Sequence, residues 1–294
     1  MNNMQTAPKI AAIILNYRNA RMTCRCLQLL LNQTDISKIY IVDNSACPAH
    51  AQELDDALKQ IETPAILLLR PVNNTGFAGG VNHALLIDHQ SHDAYLLINN
   101  DAEAMPGMVK SLANTLFAQP TISAVSANFG NSQKLPALIW YHRYTALLTS
   151  HPLPGSFPYI SGACMLIKRD ALMPDGRLFD ERFFMYGEDV ELGWRLFRNR
   201  RSITVTEIAH CNHTSSSSSR NGSLFYEYHV LRGHLLLTSI LATSRHEYLL
   251  LMCTRTFMLT LRTMWRCFRL KSSTPIKAYL LAFRNSEKSS VRAP

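Results

Sequence analysis

The feature that most constrains this chain is an alternation of short apolar runs with helically spaced stretches across residues 9–98. Residues 9–15 (Lys-Ile-Ala-Ala-Ile-Ile-Leu) predict a short buried strand, and residues 39–42, 66–69 and 95–98 predict three more. Between them, residues 19–32 place Met22, Cys26, Leu29 and Leu30 on one helical side, and residues 51–61 and 77–87 predict two further helices. Strands alternating with helices of this length imply a parallel, doubly wound sheet.

Each predicted strand ends in polar residues. The exits are Asn16-Tyr17, then Asp43-Asn44-Ser45, then Asn73-Asn74-Thr75-Gly76, then Asn99-Asn100-Asp101-Ala102-Glu103. Ligands of open parallel sheets bind beyond the carboxyl ends of the strands. One polar exit is an ordinary turn; four in succession favour a pocket for a polar ligand.

Beyond residue 104 the expected elements are a helix over 108–117, strands over 124–129 and 160–168, a helix over 190–199 and a strand over 203–208. Residues 135–157, with Trp140 and Tyr141, read as a poorly regular insertion. Two helical stretches rich in Leu and Arg occupy residues 224–270, and the polar residues 272–294 are expected to be loosely held. The fold class expected is α/β, with a mostly parallel sheet flanked by helices. The expected division is a catalytic domain over 1–222 and a helical, basic region over 223–294.

The chain carries 30 basic and 21 acidic residues, with much of the basic excess after residue 195. Such a tail suits a membrane surface or a phosphorylated substrate better than a nucleic-acid groove. No nucleic-acid recognition pattern accompanies it. Seven cysteines without a Cys-x-x-Cys pair give neither a disulfide framework nor a zinc knuckle. Reduced thiols and the lack of a twenty-residue uncharged apolar stretch predict a cytoplasmic location without a spanning helix.

Asp101 and Glu103, one residue apart on an extended segment, would point to the same side. Hard oxygen ligands so placed suit Mg²⁺ or Mn²⁺, which can bridge a diphosphate. Glu188 and Asp189 could simply stabilise a helix start, or one could be the base that takes a proton from an attacking hydroxyl. Met185, Tyr186 and Trp194 would then wall a sugar. His210 and His213 are candidate further metal ligands, and the serine run 215–219 has the composition of a lid or a linker. Gly76, Gly79 and Gly80 match neither a dinucleotide fingerprint nor a P-loop; they open a helix where backbone can approach a sugar or phosphate.

Taken in order, these segments resemble family 2 glycosyltransferases of the GT-A fold, above all the bacterial rhamnosyl- and galactofuranosyl-type enzymes of surface polysaccharide synthesis. The resemblance rests on Ile14-Leu-Asn-Tyr-Arg18, Ile41-Val-Asp-Asn-Ser45, Asn73-Asn-Thr-Gly-Phe-Ala-Gly-Gly-Val-Asn82, Leu97-Ile-Asn-Asn-Asp101, Ser161-Gly-Ala163 and the segment from Phe179 to Arg195. It covers roughly residues 9–215. It implies that Asp43, with Asn16, contacts the base of a nucleotide-diphosphate sugar, and that Asn74, Gly76, Gly79 and Asn100 line the donor pocket. It further implies that Asp101, Glu103 and His210 hold the metal, that Asp189 is the catalytic base and that Glu188 supports it. Glu103 departs from the family's usual Asp-x-Asp. The implied reaction is an inverting transfer, with rhamnose from a dTDP donor as one instance, onto a lipid-linked or saccharide acceptor of O-antigen or lipopolysaccharide type, at the inner face of the cytoplasmic membrane. The rival readings are a sugar-nucleotide nucleotidyltransferase, which would need a Gly-rich basic loop after the first strand, and a non-catalytic membrane-associated binding protein.

Overall fold

A computed structural model of the chain describes residues 7–61, 63–129, 136–213 and 221–287. The first half follows the expected alternation. Strands β1 (Ile10–Asn16), β2 (Ile36–Asp43), β3 (Ile66–Leu69) and β4 (Ala94–Asn99) alternate with helices α1 (Ala20–Leu31), α2 (Pro48–Leu58) and α3 (Gly76–Asp88). The short strand β5 (Ala102–Ala104) precedes α4 (Met108–Phe117) and β6 (Ile122–Asn128). Next come β7 (Leu138–His142), β8 (Leu148–Thr149), β9 (Ser156–Ile160) and β10 (Cys164–Lys168), then α5 (Glu188–Arg198) and β11 (Ser202–His213). Three helices follow, α6 (Leu224–Leu241), α7 (Arg245–Leu270) and α8 (Thr274–Glu287).

The main sheet runs in the order β3-β2-β1-β4-β10-β6-β11-β5. Strands β3, β2, β1 and β4 are parallel, β10 is antiparallel to both its neighbours, and β11 lies parallel to β6. Strands buried on both faces read as continuous apolar runs, which is what β1 shows. Its alternate residues serve two cores. Ile10, Ala12 and Ile14 pack with α1, α2 and α4, whereas Ala11 and Ile13 pack with α3 and α5.

Three expectations need correction. Within residues 135–157, expected to be a poorly regular insertion, β7 and β8 form and β9 begins, and together they make a small antiparallel sheet in the order β8-β7-β9. Its aromatic side chains Tyr141, Phe157 and Tyr159 bury against α5 and α6, so the segment encodes a further core beside the two that β1 serves. The strand expected over 160–168 begins only at Cys164, because Ile160 closes β9 and Ser161–Ala163 break the chain between the two. The tail expected to be loose forms α8, because Ala278 and Ala282 are fully buried against Leu231 of α6 and Leu259 of α7.

Candidate active site

The antiparallel insertion of β10 decides where the site forms. Because β10 begins opposite Ile98 at the end of β4, the break Ser161-Gly162-Ala163 lands on the same sheet edge as the exits of β1, β2 and β4. The Asn99 amide donates to the Ala163 carbonyl at 2.9 Å and locks that junction. Beyond this edge lies a crevice of about 430 Å³. Asn16, Asn74, Gly76, Asn100, Asp101, Glu188 and Asp189 all line it, as do Ser161, Gly162 and Ala163.

A hydrogen-bonded chain ties the strand exits together beneath the crevice floor. Asn100 Nδ2 donates to Thr23 Oγ1 at 3.1 Å, Thr23 donates to Asn16 Oδ1 at 2.7 Å, and Asn16 Nδ2 donates to Asp43 Oδ1 at 2.9 Å. Asp43 also accepts from the Ser45 amide at 3.1 Å and lies 3.5 Å from Arg70 Nε. Buried polar groups are costly unless paired, so this chain fixes the orientation of Asn16. Asp43 itself is buried at the back of the site rather than on the crevice wall. Thr23 and Arg70 carry no motif in the sequence and are legible as site supports only from these contacts.

The glycine segment divides between lining and scaffolding. Gly76 has φ +72°, a backbone region that disfavours side chains, and an added Cβ would overlap the Phe184 carbonyl oxygen. That carbonyl accepts from the Phe77 amide at 2.8 Å, which joins the start of α3 to residues 183–186. Asn44 Nδ2 donates to the Gly76 carbonyl at 2.7 Å, and Asn82 Nδ2 donates to the Phe179 carbonyl at 2.8 Å. Gly79 does not face the crevice; its Cα hydrogen leaves room for the Thr75 side chain.

Glu188 and Asp189 open α5 after Gly187, whose φ is +104°. Helix N-termini favour negative charge, yet burial opposes it here. Burial and the neighbouring Asp189 carboxylate push Glu188 up to about 8. Burial raises Asp189 to about 6, against the pull of backbone amides including those of Val190 and Gly162. The Val190 amide donates to Asp189 Oδ1 at 2.9 Å. Of the expected apolar wall, Met185 and Tyr186 line the crevice, joined by Phe184 and Phe225. Trp194 does not; it packs 5.1 Å from the Phe157 ring in the core beneath the small sheet, because it lies on the inner side of α5. Phe225 comes from the start of α6 and had no signal in the sequence beyond its apolarity.

The expected metal ligands do not gather as a trio. Asp101 lines the crevice, but Glu103 lies on its other side, where Oε1 meets Arg25 Nε at 2.6 Å. His210 is exposed and absent from the crevice wall, with its carbonyl accepting from the Met105 amide. The β5–β11 ladder sets the backbone of His213, not of His210, opposite Ala102. Among the described residues no group of three His, Cys, Asp or Glu side chains is placed to hold one ion. The serine run 215–219 lies outside the described residues.

The crevice thus sits at the carboxyl edge of a mixed sheet, with an acidic residue after β4 and an acidic pair at the start of α5. The profile of Glycosyl transferase family 2 matches residues 11–174. The chain belongs to this family. It is a glycosyltransferase of GT-A fold. A Mycobacterium tuberculosis protein described as N-acetylglucosaminyl-diphospho-decaprenol L-rhamnosyltransferase is 26% identical over 217 residues, 63% of this chain and 69% of that relative. Among solved structures, the mannosyltransferase PcManGT from Pyrobaculum calidifontis, in complex with GDP-Man and Mn²⁺, superposes with a TM-score of 0.60. It is 13% identical, over 99% of this chain and 77% of that one. GalNAc-T7 with UDP, GalNAc and Mn²⁺ gives a TM-score of 0.61 at 12% identity, over 78% of this chain and 48% of that one.

Proposed function

We propose that this glycosyltransferase performs an inverting transfer of a sugar, rhamnose from a dTDP donor being the leading instance, onto a lipid-linked saccharide in cell-surface polysaccharide synthesis. The observation that carries the reading is that Asp101 and Asp189, from segments 88 residues apart in sequence, line one crevice. The mycobacterial relative, described as acting on a lipid-diphosphate-linked sugar, supports the donor and acceptor classes.

In this reading the nucleotide base sits over Asn16, held by Asp43 and Thr23, and the sugar rests against Phe184, Met185 and Tyr186. Asp189 takes the proton from the acceptor hydroxyl as that oxygen attacks the anomeric carbon. A carboxylate held near 6 suits this role, since the group is ionised at neutral pH yet more basic than an ordinary aspartate. Glu188, held near 8, is neutral at pH 7 and adds no second charge beside the base.

The donor set fits Mg²⁺ or Mn²⁺ through one direct carboxylate. Magnesium is commonly held by one or two carboxylates, with substrate phosphates and water completing the shell. Asp101 would be that ligand. Glu103, engaged by Arg25, would act through water or not at all. When bound, the ion would neutralise the charge developing on the departing diphosphate. Residues 1–222 would then carry catalysis, and residues 223–294 would bring the enzyme to the inner face of the membrane that holds the acceptor.

The test is a panel of nucleotide sugars incubated with a lipid-linked acceptor and Mg²⁺ or Mn²⁺, beside Asp189→Asn. Release of nucleoside diphosphate with one donor, and its loss in the variant, is the expected result. Full turnover by Asp189→Asn would overturn the assignment of the base. Tight donor binding without any turnover would favour the non-catalytic binding protein.

A further inference from the structure

Helix α7 has two opposite faces that behave differently. Its buried residues are Leu251, Arg255, Leu259, Thr263 and Arg266, a row advancing by three or four positions. The arginines on this row already have partners inside the protein. Arg255 donates to Tyr141 Oη at 2.5 Å and to the carbonyls of His234 and Arg143 at 2.8 and 3.0 Å. Arg266 pairs with buried Glu227 and donates to Asn221 Oδ1 at 2.6 Å. These contacts tie α7 to α6 and to the small sheet, so its rotational setting is fixed.

Directly opposite runs a second row, Leu250, Cys253, Phe257, Leu261, Met264 and Phe268, also advancing by three or four. At 100° per residue these six positions fall within about 80° of arc. All are apolar and all are exposed, Phe257 at 63% and Phe268 at 85%. Trp265, beside them, is 53% exposed. The row extends over about 27 Å of helix. A contiguous apolar stripe of this size on a surface marks an interaction site.

Charge identifies the occupant. Between residues 248 and 286 the chain contains no Asp or Glu. The cations not consumed inside, Arg269, Lys271, Lys277 and Arg284, are all exposed around the end of α7 and along α8. Exposed Ile276 and Leu280 of α8 add apolar surface. Among the described residues no helix is long and apolar enough to cross a membrane. An apolar helix face with an exposed tryptophan, and exposed cations at the end of that helix and on the next, suits a helix lying in the headgroup layer of anionic lipid.

We propose that the outward face of α7, with the basic rim from Arg269 to Arg284, docks flat onto an anionic bilayer. This deepens, and for its purpose rests on, the reading that the acceptor is lipid-linked. Phe225 at the start of α6 lines the crevice, and Arg266 of α7 lies 5.7 Å from the ring of its neighbour Tyr226. The crevice is thus joined through α6 to the inner face of α7, leaving the outward row free to meet lipid.

The test is flotation of the full chain with vesicles of phosphatidylcholine, alone or mixed with phosphatidylglycerol. Wild type should float with the anionic vesicles and less with the neutral ones, and binding should weaken as salt rises. The double variant Phe257→Gln/Phe268→Gln should partition at least about tenfold more weakly, since each exposed ring would lose its apolar burial in lipid. Arg269→Glu/Lys277→Glu should lose the preference for anionic vesicles. All four positions are exposed, so circular dichroism and thermal midpoints should match wild type. The proposal is overturned if wild type does not float, or if Phe257→Gln/Phe268→Gln floats as wild type does. It is equally overturned if wild type sediments as a dimer that this variant dissociates, because a second copy then covers the face. Transfer onto a short-chain, water-soluble acceptor without vesicles tests the transferase reading separately; its failure would leave the flotation result standing.

Discussion

Replacing Gly76 with alanine tests the join between the start of α3 and the segment that leads to the acidic pair. At φ +72° an L-residue costs about 1 kcal/mol relative to glycine. The new Cβ would overlap the Phe184 carbonyl oxygen, and this oxygen belongs to backbone that cannot rotate aside. Relief requires residues 183–186 to move away, at an overpacking cost of about 2 kcal/mol. The movement also strains or breaks the bond from the Phe77 amide to Phe184, worth about 1 kcal/mol. The sum is about 4 kcal/mol, which corresponds to a fall in thermal midpoint of about 10 °C for a chain of this size. Denaturant unfolding would measure the free energy, and donor titration would measure the site. Because Phe184, Met185 and Tyr186 wall the crevice, donor binding should weaken even at temperatures where the variant remains folded. A Gly76→Ala protein within about 0.5 kcal/mol of wild type, with unchanged donor affinity, would refute this account of the loop.

Asp189→Asn should lower turnover by about 10²–10⁴-fold while leaving donor affinity nearly unchanged, as read from initial rates beside donor titration. For wild type, the rate should fall as pH drops through about 6, where Asp189 becomes protonated; a flat profile down to pH 5 would contradict its role. Glu188 has a folded-state pKa raised above its ordinary value. Its contribution to stability is therefore present at low pH and lost as pH rises through about 8. Glu188→Gln should accordingly gain thermal stability relative to wild type between pH 5 and pH 9, and a constant difference across that range would count against the burial argument. Chelation should abolish turnover and Mn²⁺ or Mg²⁺ should restore it. In the same assay Asp101→Ala should lose metal-dependent donor binding, whereas Glu103→Ala should change it less, because Glu103 is engaged by Arg25 outside the crevice.

Most of the first half was legible because local patterns there carry their own answer. Apolar runs of four to seven residues, separated by helical spacing, match β1 to β4 and α1 to α3 within a few residues. The polar exits at Asn16, Asn74, Asn100 and Asp101 reach the crevice because parallel strands bring their carboxyl ends to one edge. The small sheet of β7 to β9 was illegible for the opposite reason. Its strands are only two to five residues long, and the burial of Tyr141, Phe157 and Tyr159 depends on α5 and α6, which lie far along the chain.

The sequence alone determined the class of fold, the edge on which a ligand would sit and the family to which the chain belongs. These follow from periodicity and from ordered motifs, which are properties of the chain read locally. Tertiary structure alone decided which of the four acidic residues line one crevice. Asp101, Glu188 and Asp189 meet because β10 runs antiparallel beside β4 and delivers Gly162 next to α5. Glu103 is absent from that crevice and pairs with Arg25 in a neighbouring hollow that Asp101 also lines. Spacing fixes direction only while the backbone stays extended, and between β4 and β5 the chain turns at Asn100 and Asp101. The same holds for the basic tail. Composition placed arginines among leucines, but only packing showed which arginines are consumed inside and which apolar face is left outward.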